Sequence, residues 1–222
     1  VAPGSFLLPQ QPVEVPDARG AVAKQRSPPQ ALVRDPRQEL ALVDERGADC
    51  AAQWRVISQW KDGSARFALM DYAEGEIPPR TNRRYTLRRR EGTLPPVTRA
   101  AITVKETDST LAVDTGRLAW TFSKKKFTFA ESVMAHGRDW MKGQTVDLDA
   151  VDANGQIHRA SAGEYSIAVE EPGPHRVIVL VRGDHRNPLG RFMNYWMRFT
   201  FVAGGSHVFI SHHVRNREPG RV

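Results

Sequence analysis

A chain of 222 residues with 40% hydrophobic and 26% charged side chains has the balance of a globular protein, with room for one large domain or two small ones. No run of about 18 apolar residues occurs, which excludes a helical membrane span. A single cysteine, Cys50, excludes an internal disulfide framework and a cysteine-built zinc site. The net charge of +7 is spread evenly, 15 basic against 12 acidic residues over 1–96 and 17 against 13 beyond, so it lacks the lopsided arm of a nucleic-acid binder.

Residues 1–38 are rich in proline among Gln, Gly and Arg, without a period, and are expected as an extended N-terminal arm able to wrap a partner subunit. Residues 1–8 lack a basic region followed by a long apolar run, so no secretory leader is expected. From Leu40 onward, short runs rich in β-branched and aromatic residues alternate with turn chemistry, the signature of strands. The run 40–44 precedes a Glu45-Arg46-Gly47 turn. Over 53–60, Trp54 and Val56 share one face with Ser58 and Trp60, while Arg55, Ile57 and Gln59 share the other. Asp62-Gly63 supplies a residue able to take positive φ, so 53–60 and 65–72 read as a hairpin. A strand over 83–90 puts Tyr85 and Leu87 inward and Arg84, Arg88 and Arg90 outward.

Thr93-Leu94-Pro95-Pro96 reads as a linker. Beyond it strands are expected over 100–106, 110–114, 117–123, 146–150, 156–159, 165–170, 175–183, 192–203 and 207–214, with an Asn154-Gly155 hairpin between 150 and 156. In 192–203, Met193, Tyr195, Met197, Phe199 and Phe201 form an unbroken apolar face opposite Asn194, Arg198 and Thr200. No segment shows a helical period longer than two turns. The expected fold class is therefore all-β: residues 1–38 as arm, 39–94 as a small six-stranded barrel, and 97–222 as an antiparallel β-sandwich-like domain.

Several strings carry a resemblance. Leu40 to Gly47, then Ala52-Gln53, then Ser58-Gln59-Trp60-Lys61-Asp62-Gly63-Ser64 running on to Tyr72 resembles the N-terminal barrel of the exo-rhamnogalacturonan lyase-like family, which is similar to the six-stranded barrels of riboflavin synthase and translation factors. Val113-Asp114-Thr115-Gly116, the run from Val169 to Arg176, and Arg198-Phe199-Thr200-Phe201 with Ala203-Gly204 are similar to the β domain that follows that barrel. Lys61 departs from the proline expected in the family hairpin, and the first 38 residues have no counterpart. The resemblance implies that a helical toroid domain supplies much of the catalytic cleft of the pectin-cleaving members. No stretch of this sequence carries the period such a toroid needs.

Lyase chemistry on a uronate needs a cation over the carboxylate and a base near the acidic C–H. No spacing singles out such a set, so no catalytic residue is assigned, and no cofactor or metal is expected. The ligand-binding candidates are Trp60, beside a turn where an amphipathic ring is half exposed; the outward guanidinium groups of Arg84, Arg88 and Arg90, whose forks suit carboxylates; and His207 and His213. Those two histidines lie roughly 20 Å apart on an extended strand, too far to grip one metal. Trp140 and Trp196 are the other aromatics suited to stacking on sugar rings. The expectation is a non-catalytic structural or carbohydrate-associated module of a larger protein or assembly, in an extracellular, periplasmic or virion-associated setting. A polysaccharide lyase fragment and a virion or appendage subunit are the alternatives. Expected partners are other protein subunits or an acidic glycan, with nucleic acid set aside.

Overall fold

The computed structural model describes residues 33–73, 77–90 and 101–216, together with the backbone of Gly4–Leu7. The linker expected at 93–96 and most of the expected arm lie outside the described residues. The chain divides into two compact units, Val1–Thr98 and Arg99–Val222. No helix of the described residues is long and apolar enough to cross a membrane.

The first unit contains β1 (Gly4–Leu7), the single-turn helix α1 (Pro36–Glu39), β2 (Leu40–Asp44), β3 (Asp49–Cys50), β4 (Ala52–Gln59), β5 (Ala65–Tyr72) and β6 (Tyr85–Arg89). They form two three-stranded antiparallel sheets, ordered β1-β5-β4 and β3-β2-β6. Within the stretch expected as an arm, β1 is extended and pairs with β5 of its own chain, Gly4 opposite Tyr72 and Leu7 opposite Leu69. The β4–β5 hairpin turns where expected: Gly63 takes a φ of 82°, and the Asp62 carboxylate accepts from the Ser64 amide at 3.0 Å. Alternation along β4 buries Trp54 and exposes Arg55, Ile57 and Gln59. Trp54 packs with Val33, Leu40, Leu42, Ala68 and Met70, against which Tyr85 and Leu87 of β6 close.

The second unit begins with a meander of β7 (Thr103–Glu106), β8 (Thr110–Asp114), β9 (Leu118–Ser123), β10 (Ser132–Ala135) and β11 (Arg138–Asp139), a five-stranded sheet. A six-stranded sheet follows from β12 (Asp149–Val151), β13 (Ile157–Arg159), β14 (Tyr165–Glu171), β15 (Arg176–Asn187), β16 (Gly190–Val202) and β17 (Phe209–Asn216). Its order is β12-β13-β15-β16-β17, with β14 also paired to β15.

The two sheets face each other across one core. Leu111, Val113, Trp120 and Phe122 come from the first sheet, and Val177, Val179, Val181, Tyr195, Met197, Phe199 and Phe201 from the second. Phe122 meets Phe199 edge-on, ring centroids 5.0 Å apart. Burying each such side chain contributes about 1.5–3 kcal/mol, and the period-two spacing on β16 delivers four of them to one side.

The strings that carried the family resemblance hold this sandwich together. Asp114 accepts from the Gly116 amide at 2.7 Å, and Gly116 takes a φ of 88°. Thr115, fully buried, donates its hydroxyl to the Gly205 carbonyl at 2.6 Å and accepts from the Leu118 amide. Arg176 and Glu171, both largely buried, pair at 3.0 Å, and the His175 carbonyl accepts from the Ala203 amide at 2.9 Å.

Candidate binding face

In an antiparallel ladder, residues directly opposite each other point to the same side of the sheet. The residues of β16 that alternate with its core set are Asn194, Trp196, Arg198 and Thr200. Opposite them on β17 lie Arg215, His213, Ser211 and Phe209. On β15, Arg182 lies opposite Trp196. Arg182, Trp196 and His213 therefore form one row across three strands, about 10 Å long at the usual strand spacing. The Trp196 indole and the His213 imidazole are stacked, ring centroids 5.3 Å apart and planes within 7°. Arg182, His213 and Arg215 are exposed, and neither arginine makes an ion pair among the described residues. On the far side of the row Arg198 is held by Glu170 in a two-pronged pair at 2.5 and 2.8 Å. The outer face thus combines a stacked aromatic pair, two unengaged guanidinium groups, and the amide and hydroxyl of Asn194 and Ser211.

The other candidates are distributed differently. Trp60 is 39% exposed, as expected beside its turn, and the Arg66 guanidinium lies 4.8 Å from its ring centroid. The arginines of β6 do not form one anion grip. Arg88 pairs with Asp49 at 3.1 Å and its neighbour Arg89 with Glu39 at 2.7 Å. Exposed pairs of this kind contribute about 0–1 kcal/mol. Arg90, expected outward, folds inward instead and donates to the Leu40 carbonyl at 2.6 Å. The Leu40 carbonyl at the start of β2 captures it, an effect that alternation alone does not reveal. Arg84 is exposed. His207 falls outside the strand expected to hold it, since β17 begins at Phe209, and its ring meets Phe209 edge-on at 4.9 Å. His207 and His213 are not brought together. No group of three or more metal-ligating side chains occurs among the described residues.

A second polar cluster lies at the β15–β16 end of the sandwich. Asp184, nearly fully buried, takes Arg191 at 2.5 Å and Arg186 at 3.4 Å, and accepts from the Glu164 amide at 3.1 Å. Beside it are His185, Tyr195 and Tyr165. Burial pushes the His185 imidazole below its ordinary value, opposed by a hydrogen bond with the Met193 backbone. Burial and the neighbouring Tyr165 push the Tyr195 phenol well up, and burial with Glu131 raises Tyr165 to about 12. A general base works best with a pKa near the operating pH. These phenols are moved away from it, and Tyr195 is 1% exposed.

In the sequence Trp196 and His213 stand 17 residues apart, and Arg182 and Arg215 carry no motif. The strand register that aligns all four spans residues 182 to 215, and no local spacing signals it.

Two packed antiparallel sheets, with every strand of the larger one joined by short or tight connections, define the second unit as a β-sandwich. The family model for the central β-sandwich domain of PcRGLX-like proteins matches residues 102–217, more than half of the chain. The chain belongs to that family, the rhamnogalacturonan lyase-like one its motifs resemble. No curated protein matches the chain.

Proposed function

We propose that this chain is a non-catalytic β module of a larger carbohydrate-associated protein, acting by positioning and by contact with an acidic glycan. The observation that carries this reading is the Arg182–Trp196–His213 row with Arg215 beside it. Flat aromatic surface suits the apolar face of a sugar ring, and unengaged guanidinium forks suit carboxylates. The buried Tyr195 phenol and its neighbour Tyr165, both raised by burial, are in keeping with packing roles in the sandwich. The six strands described in the first unit, in two three-stranded sheets, are in keeping with the small barrel that the sequence resemblance implies ahead of the sandwich.

Isothermal titration calorimetry with polygalacturonate tests the reading. The chain is expected to bind, and Trp196→Ala, Arg182→Ala and Arg215→Ala are each expected to weaken binding several-fold. Wild-type affinity in all three variants would refute the assignment of this face. Family membership favours a second reading, a piece of a polysaccharide lyase. Ultraviolet-detected release of unsaturated uronides by this chain alone would replace the first reading with that one.

A further inference from the structure

Strand β17 is the last in its sheet, and no further strand among the described residues pairs with its outer edge. Its eight residues contain no proline, no lysine and no break in register against β16. Those are the devices that ordinarily blunt a free edge. All but the last of the eight are exposed, and three are large and apolar: Phe209 at 55%, Ile210 at 40% and Val214 at 47%. Ile210 and Val214 lie opposite Phe199 and Tyr195 in the ladder, so they continue the core-facing side of the sheet past the point where the core covers it. Phe209 lies on the outer face with Arg215, opposite Thr200 and Asn194.

This strand is complementary to itself in one register. Two copies run antiparallel about a two-fold axis keep like faces together only if the axis passes through a residue, since side chains alternate with period two. With the axis at His212, Ile210 of each copy meets the partner subunit's Val214, Phe209 meets the partner subunit's Arg215 in a cation–π arrangement, and Ser211 meets the partner subunit's His213. Shifting the axis to Ser211 or His213 separates the two exposed aliphatic residues from each other. We propose that two copies of this chain join edge to edge through β17, in the register that sets His212 on the two-fold axis and Ile210 against Val214. The partner is fixed by this match: four exposed aliphatic groups are buried, and each Arg215 receives an aromatic ring. The contact runs about 25 Å along the strands, small by the standard of stable interfaces, so the dimer forms in a concentration-dependent way.

The test is sedimentation equilibrium of the whole chain over a range of concentrations. The mass is expected to rise from 24.9 kDa toward twice that value. The double variant Ile210→Lys with Val214→Lys is expected to stay at the monomer mass with an unchanged circular dichroism spectrum, both sites being exposed. Register is read separately in a Cys50→Ser background. His212→Cys places two thiols across the axis, where Cα atoms about 4.5–5.5 Å apart suit a disulfide, so it is expected to cross-link rapidly. Val214→Cys leaves its two thiols about 13 Å apart along the edge and is expected not to cross-link. A wild-type chain that stays monomeric throughout overturns the proposal. So does a dimer untouched by the lysine pair, or faster cross-linking at 214 than at 212.

Discussion

The Thr115 hydroxyl reaches across the sandwich to the Gly205 carbonyl at 2.6 Å, so the β8–β9 turn of one sheet is tied to the β16–β17 connection of the other. The Gly204 amide returns a bond to the Thr115 carbonyl at 2.7 Å. Removing the hydroxyl leaves buried main-chain groups unsatisfied. Thr115→Val is expected to cost about 1–3 kcal/mol in chemical denaturation, and Thr115→Ser to retain most of the stability. A loss in Thr115→Ser with none in Thr115→Val would show that the methyl group, not the hydroxyl, matters.

Gly183 stands opposite Tyr195, and a Cβ at 183 would collide with the Tyr195 hydroxyl and come within 2.8 Å of the Glu164 carbonyl. Gly183→Ala is expected to destabilise the sandwich by about 1–3 kcal/mol through overpacking. Tyr195→Phe in the same background withdraws the nearest clashing atom and is expected to restore part of the loss. A Gly183→Ala chain as stable as the parent would contradict the close approach.

Phe199 is fully buried between Trp120, Phe122 and Phe129. Phe199→Ala is expected to cost about 3–5 kcal/mol. A loss below about 1 kcal/mol in thermal or urea unfolding would show that the two sheets do not share this core.

Acid should weaken the sandwich in two stages. Burial lowers the imidazoles of His185 and His212 below 6.5, with His213 adding to the effect at His212. As pH falls, the unfolded chain therefore takes up protons first. Stability is full above about 6.5 and declines below it. The carboxylates of Asp139 and Asp152 are held below 3.8 chiefly by main-chain amides, Met141 on the first and Gln156 on the second. Their contribution is present above that value and is lost as pH drops through the folded pKa. His185→Gln is expected to flatten the first stage in pH-dependent unfolding; an unaltered slope would remove His185 as its source.

Strand positions were legible wherever period-two apolar faces met a turn. The run 110–114 and the hairpin around Gly63 appear as expected, and β16 buries Tyr195, Met197, Phe199 and Phe201 as its alternation requires. The β10–β11 hairpin is not legible in the sequence because its turn is His136-Gly137, both with positive φ, a pair that lacks the Asn-Gly or Asp-Gly signature. The inward turn of Arg90 is not legible in the sequence, because alternation assigns a face but is blind to a nearby carbonyl. Of the binding face, the sequence disclosed Trp196 and His213 only as isolated rings. Their stacking depends on which residue of β17 sits opposite which of β16, a non-local register fixed by packing.

The hairpin tips spend their aspartates on main-chain amides: Asp44 on Arg46 and Ala48, Asp62 on Ser64, Asp114 on Gly116, and Asp152 on Asn154 and Gln156. Each of these four hairpins is thereby closed by a carboxylate that accepts from amides a few residues away in the chain. The reversals are consequently fixed by local chemistry, so each hairpin can take shape before the sheets pack against one another.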